Sequence, residues 1–311
     1  MACAVVVGSA NVDLVGVAAR LPARGETVLG HDFTVTPGGK GANQAVGCAR
    51  LGLPTRFVGR VGHDAFGEQL RATLAMAGVD LSGLIVDPSA PSGVALIMVD
   101  GEGHNSILVA PGANSHLTPS DVAAALATGP FDILLVQLEV PLAAVTEAVQ
   151  LTRASGGRVV LNPAPAQRLP DDLLILVDVL TPNHLELEAL AGTKVGSADE
   201  ARQAARALLR RGVAAVVVTL GGAGALVVTP EYCMQVPGFA VAVVDTTGAG
   251  DAFNAALVVA LVEGRSLLAA TRFANAAGAL ATTALGAQQA LPTRERVLTL
   301  LAQHHANWDE D

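Results

Sequence analysis

The feature that most constrains the fold is an alternation of short valine- and leucine-rich runs with longer helical patterns. The apolar runs occupy residues 4–7, 55–58, 133–136, 159–161, 177–180 and 215–219. Helical patterns lie at residues 41–51, 67–77, 142–155, 198–211 and 251–263, and the glycines that follow them are predicted C-caps: Gly52, Gly78, Gly156, Gly212 and Gly264. Continuous apolar strands joined by helices are typical of a parallel sheet that is buried on both faces. The sequence therefore predicts an α/β fold.

Two regions, residues 15–37 and 92–109, break this alternation. Polar and apolar residues mix there at strand-like spacing, and no long helical pattern intervenes. We predict that they form a small β-sheet beside the main layer, where it could act as a lid over a ligand. Because no linker or internal repeat stands out, we expect a single domain over residues 1–311, with a loose acidic tail at residues 307–311.

Composition excludes several classes of function. The formal net charge of −9 argues against a general nucleic-acid-binding surface. The three cysteines, Cys3, Cys48 and Cys233, are too few for a disulfide framework and fit a reducing cytoplasm. No secretory leader is evident at the N-terminus. Residues 212–230 and 273–293 are uncharged, but their glycines and polar side chains predict no membrane-spanning segment.

The sharpest motif is Val-Val-Asp-Thr-Thr-Gly-Ala-Gly-Asp-Ala-Phe-Asn at residues 243–254, which predicts a strand end, a glycine turn and an apolar helix. Backbone N–H groups at a helix N-terminus attract anions, and Gly248 and Gly250 allow a phosphate to approach closely. Asp251 could then accept a proton from a hydroxyl that attacks the phosphoryl group. Taken alone, an N-cap aspartate after a tight turn is the commoner use of such a pattern.

Two other segments carry polar side chains that could bind hydroxyl groups. Residues 37–45 form a glycine-rich helix entrance with Lys40 and Asn43; this is not a Walker P-loop, because Gly41 rather than Ser or Thr follows the lysine. Alone, the segment could equally be a flexible loop. In residues 8–13, Asn11 and Asp13 share a face and could bind vicinal hydroxyls, although an Asx turn explains them equally well in isolation.

Together these segments resemble the ribokinase-like, PfkB-type carbohydrate kinases, in order from Gly8 to Pro292. The family's C-terminal signature matches residues 245–251. Its N-terminal signature matches residues 38–43, which read Gly-Gly-Lys-Gly-Ala-Asn as in the members that act on ribose. The resemblance implies a three-layer α/β/α core with a mostly parallel sheet, a β-sheet lid, a homodimer joined through the lids, and ATP-dependent phosphorylation of D-ribose at O5.

Other functions remain as alternatives. The chain could be a family member acting on deoxyribose, fructose or a nucleoside such as adenosine, although residues 40–43 disfavour this. It could also be a catalytically silent, sugar-binding regulator, although Asp251 and both glycines are retained. A dinucleotide-dependent oxidoreductase is disfavoured because no Gly-x-Gly-x-x-Gly pattern opens the first helix.

The resemblance also implies roles for individual residues in catalysis and sugar binding. Asp251 is the implied base, and the backbone amides of Gly248, Ala249 and Gly250 form the implied anion hole. The implied sugar ligands, besides Asp251, are Asn11, Asp13, Gly38, Gly39, Lys40, Asn43 and Glu139.

Cofactor sites are implied in the same way. The residues matched to ATP and Mg²⁺ binding are Asn183, Glu186, Thr219, Leu220, Gly221, Gly222, Ala223, Gly224, Gly250 and Asn275. Without the family, residues 183–186 are a common helix-start pattern, residues 219–224 a hairpin turn, and Asn275 a packing detail. The residues matched to an activating K⁺ are Asp245, Thr247, Ala281, Ala284, Gly286 and Ala290, the last replacing a serine common in relatives.

Overall fold

The computed structural model describes residues 2–304, so the predicted acidic tail at residues 307–311 lies outside the described residues. The strands are β1 (Ala4–Val7), β2 (Asn11–Val17), β3 (Asp32–Gly38), β4 (Thr55–Gly62), β5 (Asp80–Asp87), β6 (Gly93–Val99), β7 (Asn105–Ala110), β8 (Ile133–Val136), β9 (Arg158–Leu161), β10 (Val179–Leu180), β11 (Ala215–Thr219), β12 (Ala225–Val228) and β13 (Cys233–Val236).

The α-helices are α1 (Lys40–Arg50), α2 (Ala65–Met76), α3 (Pro119–Leu126), α4 (Leu142–Ala154), α5 (Asp171–Leu174), α6 (His184–Ala191), α7 (Ala198–Arg210), α8 (Ala249–Val262), α9 (Leu267–Ala281), α10 (Ala287–Ala290) and α11 (Arg294–Gln303). Short 3₁₀ helices lie at Gly112–His116 and Gly221–Ala223. The glycines predicted as C-caps all have positive φ angles, which allow the chain to leave the helix: Gly52, Gly78, Gly156, Gly212 and Gly264.

The main sheet has the strand order β13-β12-β11-β10-β9-β8-β1-β4-β5. Pairing is parallel from β5 to β11, and only β12 and β13 run antiparallel. Every predicted strand belongs to the parallel part, which confirms the prediction from the apolar runs. The chain winds outward in opposite directions from the neighbouring strands β1 and β8, and ligand sites in α/β folds form at such a switch point.

Helices cover both faces of the main sheet. Along β8, Leu135 packs in one apolar cluster with residues of α1, α8 and α9, while Leu134 packs in a second cluster with residues of α4 and α7. This alternation follows from the two-residue period of a strand, and burying each such side chain contributes about 1.5–3 kcal/mol. The sheet and its two helical layers form the predicted three-layer α/β fold.

A second sheet, with the order β3-β2-β6-β7, lies beside the main one and is called the lid here. It confirms the small sheet predicted from residues 15–37 and 92–109. Its first strand begins earlier than predicted, because β2 pairs with β3 as far as Asn11 opposite Gly38. Asn11 and Asp13 are therefore strand residues, and the alternative interpretation as an Asx turn is wrong.

Neither uncharged stretch forms a long apolar helix. Residues 212–230 contain β11, a turn and β12, as predicted, and residues 273–293 contain the end of α9 and the short α10. Across residues 2–304, we find no helix with both the length and the apolar character needed to cross a membrane.

Candidate active site

Two adjoining cavities lie beside the first turn of α8. The larger, about 330 Å³, is lined among others by Thr219, Gly221, Gly222, Gly224, Gly250 and Asn275. The smaller, about 230 Å³, is lined among others by Lys40, Asn183, Glu186, Gly248, Gly250 and Asp251. Gly250 contributes to both. The first turn of α8 therefore lies where a ligand could extend from one cavity into the other.

The first turn of α8 has the geometry of an anion site. Gly248 is the N-cap residue with φ +76°, and a Cβ at this position would lie 3.0 Å from the backbone of Ala287. Beyond its own helical turn, a Cβ on Gly250 would meet no atom of residues 2–304 within 4 Å, so its backbone is open to the cavities. The N–H of Ala249 donates to the carbonyl of Thr246 at 3.3 Å. The helix dipole favours negative charge at this end of α8.

Asp251 is the third residue of α8, and its side chain is only 7% exposed. The amide of Asn43 donates to Oδ2 at 2.8 Å, and the amide of Gln44 donates to Oδ1 at 2.9 Å. The interpretation of Asp251 as an N-cap is therefore wrong. Burial raises the pKa of Asp251, against the opposing effects of Lys40 and of the two amide donors.

Asp13 is the second carboxylate of this region. Burial, together with the charges of Glu139 and Asp251, raises its pKa to about 7. Its carboxylate occupies the space that a Cβ on Gly38 would fill, which explains the glycine at that position. Three acids from β2, α8 and the segment after β8 therefore converge beside the carboxyl ends of β1 and β8.

The neighbouring polar groups are held by hydrogen bonds to both side chains and the backbone. The carboxylate of Glu139 accepts hydrogen bonds from the Ser9 hydroxyl and from the backbone N–H of Lys40 at 3.1 Å. Asn11 accepts a hydrogen bond at 2.8 Å from Asn114, which also bonds both backbone groups of Ala10. These contacts fix the start of the lid strand relative to the carboxyl ends of the main sheet.

Lys40 carries the positive charge of the smaller cavity. Burial alone would lower its pKa, but Asp251, Glu139 and Glu186 raise it, so the side chain remains a cation. Gly39 precedes it with φ +87° and packs against the backbone of Ala10 and Asn11. Lys40 therefore lines the same cavity as Gly248, Gly250 and Asp251.

Asn183 and Glu186 form a reciprocal capping box at the start of α6. The helix-start pattern therefore has its usual structural role here, yet both side chains also line the smaller cavity. Burial raises the pKa of Glu186, against hydrogen bonding from Asn183 and the charge of Lys40. The structure is therefore compatible both with a helix cap and with a ligand-binding role for this segment.

The glycine loop at residues 219–224 joins the antiparallel strands β11 and β12, so it is a hairpin connection as well as a cavity wall. Leu220 and Ala223 are not among the cavity-lining residues of the described structure. The amide of Asn275 donates to the carbonyls of Val236 and Pro237, both at 3.0 Å. Asn275 therefore holds the segment after β13 against α9, at the edge of the larger cavity.

The loops predicted to bind a cation lie together. The N–H groups of Val244 and Asp245 donate to the carbonyl of Thr282, and that of Gly286 donates to Asp245 Oδ2 at 2.9 Å. Burial alone would raise the pKa of Asp245, but hydrogen bonds from Thr247 and Gly286 lower it. Of the remaining predicted ligands, Ala281 and Ala290 are buried and Ala284 is half-buried.

Comparison with known proteins shows the family of this chain. A family model described as pfkB family carbohydrate kinase matches residues 1–294. The chain belongs to the pfkB family of carbohydrate kinases. It is similar to a ribokinase of Haemophilus influenzae, with 41% identity over 297 residues that cover 95% of this chain and 97% of the relative.

Two further proteins are similar to this chain over nearly its whole length. A deoxyribokinase of Salmonella typhi is 38% identical over 293 residues, covering 94% of this chain and 96% of the relative. A solved structure of Arabidopsis thaliana ribokinase complexed with ribose and ATP superposes with a TM-score of 0.89 at 36% identity, covering 97% of this chain and 99% of that one.

Sequence reasoning missed a layer of buried amides and hydroxyls beneath this pfkB-type site. Gln44 and Gln137 are fully buried, and Asn162, Thr181 and Asn254 are at most 7% exposed. Two signals were available: Gln137, Asn162 and Thr181 each directly follow a buried strand, while Gln44 interrupts an apolar helix. Their partners lie far away in the chain, so neither signal by itself indicated a contact with Asp251.

Proposed function

We propose that this protein phosphorylates D-ribose at O5, using ATP and giving D-ribose 5-phosphate and ADP. The observation that carries the proposal is the buried carboxylate of Asp251, held by Asn43 and Gln44 in the first turn of a helix that adjoins both cavities. The Haemophilus influenzae relative is called a ribokinase, and the Arabidopsis thaliana neighbour was solved with ribose and ATP.

In this mechanism Asp251 accepts the O5 proton as O5 attacks the γ-phosphate. The backbone amides of Gly248 and Gly250 and the helix dipole stabilise the developing negative charge. The amide of Ala249 joins them by exchanging its 3.3 Å hydrogen bond to Thr246 for one to the phosphoryl group. Lys40 adds a fixed positive charge at the same end of the cavity. The lid excludes water, which would otherwise compete with the sugar as a nucleophile.

The sugar would be held between the lid strand β2 and the start of α1. We assign its hydroxyls to Asn11, Asp13, Lys40, Asn43 and Glu139, with Gly38 and Gly39 allowing close approach. Asn43 supports this assignment, because its buried Oδ1 has no hydrogen-bond partner among residues 2–304 and can accept from a hydroxyl.

ATP would lie in the larger cavity, with its phosphates at the first turn of α8. The wall formed by Gly221, Gly222 and Gly224 leaves room for the ribose and phosphates, and Asn275 borders the adenine end. Mg²⁺ would neutralise phosphate charge, and the buried carboxylate of Glu186 in the smaller cavity can hold it through water, since Mg²⁺ retains several waters.

A monovalent cation, K⁺, would bind between the loops at residues 245–247 and 281–290. The donors available there are the Asp245 carboxylate, the Thr247 hydroxyl and backbone carbonyls, which suit a hard cation. The hydrogen bonds between the two loops support this assignment. The cation would add positive charge beside the anion site. Ala290 supplies no side-chain oxygen, so we expect the activation to be weaker than with serine at this position.

The function is tested by a coupled assay of ADP formation with ribose, deoxyribose, fructose and adenosine, each with K⁺ or with a large organic cation in its place. We expect the highest kcat/KM with ribose and a lower rate without K⁺. A preference for deoxyribose would overturn the ribose assignment and leave the kinase intact. Ribose binding without ADP formation would favour the silent regulator.

Replacing Asp13 is expected to stabilise the apo protein, because of the raised pKa of this residue, and to weaken ribose binding, because of its proposed contact with the sugar. In the folded protein this pKa lies near 7, above its ordinary value of 3.8, so folding takes up a proton between these values. The free energy of unfolding of the apo protein therefore falls as pH rises through this window. We expect Asp13→Asn to raise Tm more at pH 8 than at pH 5, while raising the KM for ribose.

The matched control for this prediction is Asp32→Asn, which changes an exposed aspartate on the lid strand β3. It should alter neither the pH dependence of Tm nor the KM for ribose. A uniform change in Tm across pH for Asp13→Asn would contradict the assigned titration, whatever its effect on the KM.

We also propose a homodimer joined through the lids. The register of the lid strands places exposed apolar side chains on both faces of the sheet. Phe33, Leu96 and Leu108 lie on one face, and Ile107 and Val109 lie on the other. Several exposed apolar side chains on one small sheet are typical of a protein interface.

Light scattering tests the dimer. We expect Phe33→Ser or Ile107→Ser, one on each face, to shift the mass from two chains towards one. Met76→Ser removes a still more exposed apolar side chain from the last residue of α2, outside the lid strands, and should leave the dimer unchanged. A monomeric unaltered protein would contradict the proposal.

Finally, we propose that residues 1–311 act as one kinase domain in the cytoplasm, without nucleic-acid or membrane partners. The three cysteines are free thiols, as a reducing compartment would keep them. Burial raises the pKa of Cys48 to about 12, so this thiol remains protonated and unreactive.

A further inference from the structure

Gln44 is a fully buried amide beside the proposed base. Its Nε2 donates to Asp251 Oδ1 at 2.9 Å and to Asn162 Oδ1 at 3.1 Å. Because a carboxylate can only accept hydrogen bonds, the nitrogen of Gln44 must be the atom that faces Asp251. Both of its protons are then used, one on each partner.

A second buried amide holds the other end of Gln44. Nε2 of Gln137, in the residue directly after β8, donates to Oε1 of Gln44. Rotation of the Gln44 amide would break this bond and present an oxygen to the Asp251 carboxylate. Gln137 therefore fixes which atom of Gln44 faces the base.

The position of Gln137 is itself costly. Its own Oε1 is buried without a hydrogen-bond partner among the described residues, and an acceptor in that state destabilises the folded protein. A Cβ on Gly8 would overlap this oxygen, so the glycine after β1 provides the space for it. An arrangement kept despite an unsatisfied oxygen and a required glycine points to a functional purpose.

We propose that Gln44 is a positioning residue for Asp251, with its amide oriented by Gln137 and Asn162. The inference rests on the proposed function, in which Asp251 accepts the proton of the sugar hydroxyl. Asn43 and Gln44 are neighbours on α1 and hold the two oxygens of Asp251 separately. The plane of the carboxylate is thus set before the sugar arrives.

The same network extends to the anion site. Asn162 Nδ2 donates to the carbonyl of Thr181 at 3.2 Å, the Thr181 hydroxyl donates to Asn254 at 2.6 Å, and Asn254 donates to the carbonyl of Gly250 at 2.8 Å. Gln44 thereby connects the base to the helix turn that would stabilise the transferred phosphoryl group. Base and anion site are held by one set of buried hydrogen bonds.

Charged groups from four other segments act on Asp251. Lys40 of α1 favours its ionised form, whereas Glu139 after β8, Glu186 of α6 and Asp13 of β2 oppose it. When the Gln44 donor is lost, burial and the three carboxylates still raise the pKa of Asp251. Only Lys40 and Asn43, among the groups named here, then lower it. The ionised form of Asp251 then becomes less stable, so the base stays protonated to higher pH.

The test measures kcat and both KM values against pH for Gln44→Met, Gln137→Met and the double variant. At saturating ribose, the pH dependence of kcat reports on groups in the complex with the sugar. It therefore reports the titration of Asp251 in that complex and not the titration of Asp13 in the free enzyme. For Gln44→Met we expect kcat to fall roughly 10- to 100-fold near neutral pH, as for a misplaced reacting group. In the plot of kcat against pH for this variant, the acidic limb, where the rate falls as the base is protonated, should move to higher pH. The KM for ATP should stay unchanged.

Gln137→Met should also lower kcat and move the acidic limb to higher pH, but both effects should be smaller than in Gln44→Met. Since Gln137 acts through Gln44, the double variant should match Gln44→Met rather than show the product of the two effects. The matched control is Thr152→Val, which removes a fully buried hydroxyl on α4 whose one hydrogen bond within residues 2–304 is to the carbonyl of Ala148. It should change Tm alone.

Asp251→Asn separates the two hypotheses. If that variant turns over normally, the proposed function of Asp251 fails. If it is inactive while Gln44→Met keeps kcat within twofold and an unchanged acidic limb, or if the two single effects multiply in the double variant, the positioning inference is overturned. If Gln44→Met does not fold, the pH profile of Gln137→Met decides alone, and an unshifted acidic limb rejects the inference.

Discussion

Replacing Asp251 with asparagine is expected to lower kcat by about 10²- to 10⁴-fold while ribose still binds, because general base catalysis contributes on this order. The amide is nearly isosteric with the carboxylate and retains an acceptor, but it cannot take up the O5 proton. Initial rates of ADP formation give kcat, and calorimetry gives the affinity for ribose. A variant with near-normal kcat would remove Asp251 from the mechanism.

The control for this prediction is Asp121→Asn. Asp121 is also the third residue of its helix, α3, and its carboxylate bonds Thr118 and Arg60, none of which lines either cavity. Loss of a helix-start carboxylate should lower Tm without changing kcat. The comparison therefore separates the chemistry of Asp251 from the stabilising effect that any aspartate has at this helical position. Equal losses of kcat in the two variants would contradict a special role for Asp251.

Gly248→Ala is expected to lower kcat by about 10²- to 10³-fold, the effect of losing a well-placed donor for the developing charge. Two features of the N-cap cause this loss. The φ angle of +76° is unfavourable for alanine, and its Cβ would lie 3.0 Å from the backbone of Ala287, which cannot move aside like a flexible side chain. The first turn of α8 must shift, and with it the amides that would face the phosphoryl group in the proposed mechanism.

Gly264→Ala provides a matched control at the other end of the same helix. Gly264 has nearly the same φ angle, +80°, but a Cβ there would meet no protein atom within 4 Å. This variant should lose roughly 1–2 kcal/mol of stability from the left-handed conformation and keep its kcat. Thermal unfolding and initial rates measure the two effects. If Gly248→Ala lost only stability, the anion site would have to lie elsewhere.

The strands and the lid were predictable because their sequence pattern reflects burial directly. Strands such as β1 and β8 are covered on both faces, so each consists wholly of apolar residues and stands out in any reading of the chain. The lid strands have the mixed pattern of a sheet beside the core. Their ends were less predictable, since the extent of β2 depends on its pairing with β3 and β6.

The buried amides were beyond sequence reasoning for a different reason. A glutamine such as Gln44 within an apolar helix is compatible with a packing role, a ligand contact or a hydrogen bond to a distant residue. Its partners Asn162 and Asp251 are 118 and 207 positions away in the chain. Only the packing of α1 against the sheet and α8 selects among these possibilities.

By itself, the sequence determined the α/β class, the turn into α8 and the residue types available for phosphoryl transfer, because strand burial, glycine turns and helix ends are governed by neighbours in the chain. Whether Asp251 caps a helix or is buried beside the two cavities was decided by the tertiary structure. The same residue at the same helical position serves either use, and the contacts with Asn43 and Gln44 that favour the second exist only after distant segments have packed together.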